Sequence, residues 1–326
     1  MEKEKVIIIG AGPCGLSAAI ELKNIGIDSL IIDKGSVVDA IYNYPTHQMF
    51  FSSSERLEIG QIPFVSERQK PVRNEALNYY RTVAQRTGLR INTFEEVQHV
   101  QKNTDCFQLH SVDHKGTEKV YQAEFVVMAT GYYGQPNYMG IKGEHLPHVS
   151  HYFKEAHPFF NKKVVVIGGK NSAVDATLEL EKAGAEVTVL YRGSDYSASV
   201  KPWILPLFDS LMRNEKAFIH FNSIPKEITK SHVVYVKNGE EHSVEADYVF
   251  AMTGYQPDQP FLKESGIELD QSACPIYNPN TMETNVENLY VAGVVAAGYN
   301  NNKIFIENGR YHGGLIAENI QQKNMQ

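Results

Sequence analysis

One turn, written twice, constrains this chain more than anything else in it. VIIIGAGPCG runs from Val6 to Gly15, and VVVIGGKNSA runs from Val164 to Ala173. In the first copy an apolar run too short for a buried helix stops at Gly10, and an amphipathic segment follows from about Leu16 to Ile25. The glycines therefore fall on a strand-to-helix turn. Gly10 permits the tight turn, Gly12 lets a pyrophosphate approach the bare backbone, and Gly15 lets the helix lie close on the strand. Free N–H groups at the helix N-terminus would meet the phosphates. A second strand, Ser29 to Ile32, ends at Asp33, which stands where a ribose-binding carboxylate belongs in a dinucleotide unit.

The second copy departs from the first at one glycine. Gly168 opens the turn and Ala173 takes the helix-packing position, but Lys170 stands in place of the middle glycine. Either a pyrophosphate is held farther from this backbone, or the ammonium helps to hold it, or the side chain points to solvent. The next strand, Glu186 to Leu190, ends in Tyr191 and Arg192. An arginine there pairs with a 2′-phosphate, so the pattern predicts NADPH over NADH. A further echo ties the halves together: the buried run Phe125–Ala129 closes in Thr130, Gly131, Tyr132, and the run Asp247–Ala251 closes in Thr253, Gly254, Tyr255.

This repetition predicts an α/β chain of two Rossmann-like, three-layer dinucleotide-binding domains, the second inserted in the first. The boundaries follow the composition. Residues 1–134 form the first part of one domain, 135–255 the inserted domain, and 256–326 the returning part. Pro136, Gly140, Gly143, Pro147 and Pro158 break any regular element before Lys163 and mark the crossing. The tail has a strand at Leu289–Ala292, then Gly293, then a helix from about Lys303 to Ile320, with no nucleotide turn of its own. Between the turns, residues 36–60 read as a structured loop that brings Tyr42, His47, Phe50 or the serines near a cofactor, or else buries its aromatics in the core. Val72–Arg86 reads as a helix closed by Gly88. The segments 96–101, 106–112 and 119–123 read as an antiparallel meander with Cys106 inside a strand. A helix at Trp203–Asn214 and strands near 218–221, 226–229 and 233–237 complete the second half.

Composition sets exclusions. With 326 residues and 42% hydrophobic content, each domain can have its own core. A net charge of −7 without basic runs argues against nucleic acid and anionic membranes. No apolar stretch approaches the length of a membrane span, and MEKEK leads straight into a strand, so a cytoplasmic protein is expected. Three scattered cysteines, Cys14, Cys106 and Cys274, fit a reducing compartment. His145, His148 and His151 are evenly spaced, but Pro147 keeps them off one helical face, and no metal site is expected.

Two such turns, each closed by an aromatic-tailed TG strand, with NLYVAG before a C-terminal helix, resemble the flavoproteins of the thioredoxin reductase type. The resemblance covers essentially the whole chain. Those enzymes carry a CxxC just before the second turn, whereas here the place reads HYFKEAHPFFNKK. A dithiol relay is therefore not available. GPCG, GGKNSA, YNYPTHQ and AGVVAAG together resemble the bacillithiol disulfide reductase family. That resemblance implies NADPH-dependent, FAD-containing reduction of a low-molecular-weight disulfide, and a homo-oligomer. It implies FAD contacts from Gly10, Gly12, Pro13, Cys14, Gly15, Asp33, Lys34, Tyr42, His47, Thr130, Gly131, Gly293 and Val294, the last replacing an expected aspartate. It implies NADPH contacts from Gly168, Gly169, Lys170, Asn171, Ser172, Arg192, Thr253 and Gly254. Cys14 is the candidate catalytic thiol: a helix N-terminus favours its thiolate, and a neighbouring pyrophosphate opposes it. Alternatives of the same fold are a flavin monooxygenase, a ferredoxin or flavodoxin reductase, and a flavin-binding sensor without turnover.

Overall fold

The computed structural model describes residues 2–300 and 303–325. The chain forms two compact units, residues 1–135 with 256–326, and residues 136–255.

In the first unit the strand β1 (Glu2–Ile9) leads into the helix α1 (Pro13–Asn24) and then β2 (Leu30–Asp33). Pro13 sits in the first turn of α1, where its missing N–H costs nothing, so the helix starts three residues before the apolar pattern announces it. A short helix α2 (Asp39–Tyr42) lies inside the irregular stretch, and α3 (Arg73–Thr87) ends at Gly88 with φ 60°. Then come β3 (Arg90–Thr93), β4 (Glu95–Lys102), β5 (Phe107–Asp113) and β6 (Glu118–Met128). The sheet order is β3-β2-β1-β6-β5-β4, and the strand Leu289–Val291 also pairs with β6.

The expected strands at 119–123 and 125–129 are one continuous strand. One edge of β6 pairs in parallel with β1 over residues 121–128. Its other edge takes β5 over residues 118–123 and the returning strand over 126–128. That shared edge is how the C-terminal segment completes the unit. Val6, Ile7 and Ile8 are fully buried, as expected of a parallel strand covered on both faces. Cys106 lies one residue before β5 rather than in it, with its carbonyl accepting from the Asn103 N–H. In the meander a buried carboxylate is locked in place: Glu95 accepts from Ser111 Oγ at 2.6 Å, Tyr121 Oη at 2.7 Å and Lys119 Nζ at 2.7 Å. Burial alone would raise its pKa, but these donors outweigh it and hold the carboxyl below its ordinary value.

The second unit contains β7 (Val149–Ser150), β8 (Lys163–Ile167), α4 (Asn171–Lys182), β9 (Glu186–Leu190), α5 (Leu205–Arg213), β10 (Ala217–His220) and β14 (Tyr248–Ala251). Between the last two stand β11 (Ser223–Ile228), β12 (His232–Lys237) and β13 (Glu240–Glu245). Five strands make a parallel sheet in the order β10-β9-β8-β14-β7, and β11-β12-β13 make an antiparallel one. The sequence missed β13 because its side chains are almost all exposed and polar, so no apolar alternation marks it. Trp203 lies outside α5 and is 53% exposed. The predicted C-terminal helix is two, Ile306–Gly309 and His312–Asn324. The break falls where the Arg310 carbonyl accepts from Ser17 Oγ at 2.7 Å instead of continuing the helix.

Candidate dinucleotide sites

In the first turn the three glycines divide sharply. A Cβ on Gly10 would lie 2.3 Å from the Ala129 carbonyl oxygen, and one on Gly15 would lie 2.0 Å from that of Gly10. Both are bare because protein backbone fills the space. A Cβ on Gly12 would meet nothing within 4 Å, and the same holds for Gly131. Beside them the Thr130 hydroxyl is buried with no partner among the described residues. Bare backbone facing open space next to an unpaired buried hydroxyl fits a group that approaches the turn.

Asp33 fastens this turn. One carboxylate oxygen accepts from the Ala11 N–H at 2.6 Å and the other from the Gly35 N–H at 2.7 Å. Burial nonetheless raises its pKa, against the pull of those two donors. Lys34 is exposed, with Nζ 3.9 Å from Glu96. Tyr42 is 47% exposed, His47 is exposed, and Val294 is half-buried in the turn after Gly293. The Tyr42 carbonyl accepts from two nitrogens of Arg73, which is 7% exposed and lies over the Tyr42 ring, so α3 holds this loop.

Cys14, in the first turn of α1, is half-buried and lacks the surroundings of an activated thiol. Burial, with Glu307 adding its charge, pushes its pKa up to about 12. Its Sγ lies against two glycines of the returning segment: a Cβ on Gly293 or on Gly309 would stand 2.9 Å from it. Glu307 also accepts from Ser52 Oγ, tying the 36–60 stretch to the C-terminal segment. Sequence reasoning missed His312, whose Nδ1 accepts the Gly293 N–H at 3.1 Å. No local signal could have shown it, since the two residues lie 19 apart on separate elements. Burial lowers the His312 pKa, which keeps that nitrogen free to accept.

In the second turn Gly168 repeats Gly10: its Cβ would lie 2.5 Å from the Met252 carbonyl oxygen. The expected site residues here are more occupied by protein. Asn171 donates to the Ser199 carbonyl at 3.0 Å and accepts from the Lys201 N–H at 2.9 Å, pinning a loop to the start of α4. Thr253 Oγ1 donates to the Asn137 carbonyl at 2.6 Å, and the Gly254 carbonyl accepts from the Asn137 N–H. Gly169 packs on the Tyr191 ring, Ser172 and Lys170 are exposed, and Arg192 is exposed with no carboxylate partner among the described residues. The three spaced histidines go separate ways: His151 is buried 3.4 Å from Glu144, His148 bonds the Thr229 carbonyl, and His145 lies by Tyr138.

A family model described as pyridine nucleotide-disulphide oxidoreductase matches residues 7–293. The chain belongs to that family. Pyridine nucleotide-disulphide oxidoreductases bind a flavin and a nicotinamide dinucleotide, in keeping with two turns in one chain. Over 327 aligned residues, 99% of each chain, this member is 56% identical to the bacilliredoxin reductase Bdr of Bacillus subtilis (strain 168). The solved structure of bacillithiol disulfide reductase Bdr (YpdA) from Bacillus cereus shares 55% identity with a TM-score of 0.97, covering 99% of this chain and 100% of that one. The enzyme of the same name from Staphylococcus aureus gives 56% and 0.95, with 99% of each chain covered. The resemblance carried by GPCG, GGKNSA, YNYPTHQ and AGVVAAG agrees with all three. No helix of the described residues is long and apolar enough to cross a membrane.

Proposed function

We propose that this oxidoreductase takes electrons from NADPH and reduces bacillithiol disulfide, with FAD held by the first unit and NADPH by the second, as a cytoplasmic homo-oligomer. The whole-length likeness to two solved enzymes named bacillithiol disulfide reductase carries the choice of substrate. Overall, one NADPH, one proton and one disulfide give NADP⁺ and two thiols. Bound FAD supplies the two-electron relay between a hydride donor and a disulfide.

The chain's own residues do the rest. Gly12 and Gly131 leave the backbone bare for the FAD diphosphate and ribityl chain, Pro13, Cys14, Gly15 and Lys34 line the same turn, and Thr130 offers its unpaired hydroxyl. Asp33, Tyr42, His47, Gly293 and Val294 complete this proposed contact set. In the second unit Gly168, Gly169, Lys170, Asn171 and Ser172 form the turn, Thr253 and Gly254 its far wall, and Arg192 is the cation available to a 2′-phosphate. Cys14 is the candidate exchange thiol. It rests as a neutral, half-buried thiol, which slows its oxidation and alkylation between turnovers, because only a thiolate attacks readily.

NADPH oxidation measured with bacillithiol disulfide, glutathione disulfide, coenzyme A disulfide, a ferredoxin and oxygen tests this reading. Fastest turnover with bacillithiol disulfide, and a higher kcat/KM for NADPH than NADH, are expected. Faster transfer to ferredoxin, or hydroxylation coupled to oxygen uptake, would overturn it.

A further inference from the structure

The C-terminal segment packs on the start of α1 in a way that sets a carboxylate near Cys14. The short helix Ile306–Gly309 is a single turn, closed by the Gly309 N–H donating to the Phe305 carbonyl at 2.8 Å. Its last residue stands against the thiol: a Cβ on Gly309 would lie 2.9 Å from Cys14 Sγ. One turn further along α1, Ser17 Oγ donates to the Arg310 carbonyl at 2.7 Å. Cys14 and Ser17 are three residues apart and share one face of α1, so that face seats the turn carrying Glu307.

Glu307 is half-buried and only partly occupied by protein. Its Oε1 accepts from Ser52 Oγ, while among the described residues Oε2 has no donor and the carboxylate has no cation. Arg310, the basic residue nearest in sequence, spends its terminal nitrogens on the Glu55 and Glu58 carbonyls and on Tyr311 Oη. The other titratable side chains of the cluster are Tyr44 and Tyr80. Burial, with the Glu307 charge contributing, keeps both phenols protonated. Tyr80 Oη donates to the Leu57 carbonyl at 2.8 Å, and the Tyr44 ring is held edge-on by Tyr133. Among Cys14, Tyr44, Tyr80 and Glu307, the carboxylate is the base.

We propose that Glu307 accepts the proton of Cys14 during thiol–disulfide exchange and returns it to the departing thiol. This rests on Cys14 being the exchange thiol of the proposed function. A neutral thiol does not attack until its S–H bond breaks, and a negative charge beside it makes free thiolate scarcer still. The same carboxylate removes that obstacle by taking the proton as the Cys14 sulfur bonds to one sulfur of the substrate. The substrate S–S bond breaks, its electron pair leaves with the other sulfur, and the proton passes from Glu307 to that thiolate. Cys14 is then in mixed disulfide with half of the substrate. NADPH, by way of FAD, supplies two electrons and a proton, and one more proton from solvent completes release of the second thiol and restores Cys14.

Glu307→Gln separates this role from a structural one, because the amide oxygen still accepts from Ser52 while the charge and the basicity are lost. Two readouts on the FAD-loaded protein should then move in opposite directions. Alkylation of Cys14 by iodoacetamide at about pH 8, followed by peptide mass, is expected to speed up about threefold or more, since thiolate forms more easily without the charge. Turnover with bacillithiol disulfide is expected to fall about tenfold or more, with anaerobic bleaching by NADPH unchanged. A Glu307→Gln protein that turns over within about twofold of wild type, or alkylates no faster, overturns the proposal. Should that variant lose its flavin, Glu307→Asp decides: it keeps the charge with a shorter reach, so turnover is expected to fall about threefold or more at the wild-type alkylation rate, and full turnover overturns the proposal. A wild type inactive toward the disulfide would count against the proposed function instead, and the alkylation comparison would still judge the Glu307–Cys14 pair.

Discussion

The two glycine turns share a backbone plan and differ in what the protein has left undone around it. At the first, among the described residues, Gly12 and Gly131 face open space and the Thr130 hydroxyl is buried without a partner. At the second, Lys170 replaces the open glycine, and Asn137 both bonds Thr253 and stands 3.3 Å from where a Gly254 Cβ would be. The first turn leaves bare backbone and a buried hydroxyl open, while the second ties its wall residues to protein. That difference suits a resident group in the first unit and a dinucleotide that comes and goes in the second.

The sharpest way to break this comparison is to add one methyl group at two places in the same turn. Gly15→Ala drives a Cβ to within 2.0 Å of backbone and is expected to cost about 3 kcal/mol or more, seen as loss of folded protein in a denaturant titration. Gly12→Ala has room and an extended backbone that any residue adopts, so its apo-protein is expected to melt like wild type. It is nevertheless expected to retain less than about a tenth of the bound flavin, since the added methyl stands where the phosphates approach. Equal flavin retention in Gly12→Ala and wild type would mean that the open space is not the cofactor's.

Cys14→Ala comes next in size. It removes a neutral thiol and its Sγ contacts with Gly293 and Gly309 while adding no bulk, so flavin content and anaerobic bleaching by NADPH should be unchanged while disulfide-dependent turnover falls tenfold or more. Turnover within about threefold of wild type would assign Cys14 to packing alone. In the second unit Lys170→Ala is expected to raise the KM for NADPH about three- to tenfold with little change in kcat, through loss of one exposed charge contact. An unchanged KM would place the ammonium in solvent.

The smallest effect is a pH dependence. Burial lowers the His312 pKa from its ordinary 6.5, so the unfolded chain binds the proton first. Stability from this residue is complete above the ordinary histidine value, declines as pH falls below it, and levels off beneath the folded value. Denaturant midpoints between about pH 7.5 and pH 5 should fall less steeply in His312→Asn, whose amide oxygen can accept from Gly293 without titrating. Parallel slopes would remove His312 from the account.

Much of this was legible because a strand, a glycine turn and a helix write their geometry into consecutive residues. Gly10, Gly15 and Gly168 were placed by pattern, and backbone now stands where their side chains would be. The rest depended on partners distant in sequence. ATGYY and MTGYQ look alike, yet only Thr253 finds Asn137, 116 residues away. The His312 bond to Gly293, the Arg73 grip on the Tyr42 carbonyl and the shared edge of β6 leave no periodic trace for the same reason. Cys14 was read from its place on a helix, where the dipole favours a thiolate, and burial reverses that sign.

Anaerobic addition of NADPH to the purified protein, followed in the visible flavin band and then by addition of bacillithiol disulfide, tests the central claim most directly. The account predicts a yellow protein carrying one FAD per chain, bleached stoichiometrically by NADPH and recoloured by the disulfide with release of two thiols. A protein that takes up no FAD, or whose flavin stays oxidised under NADPH, would contradict it.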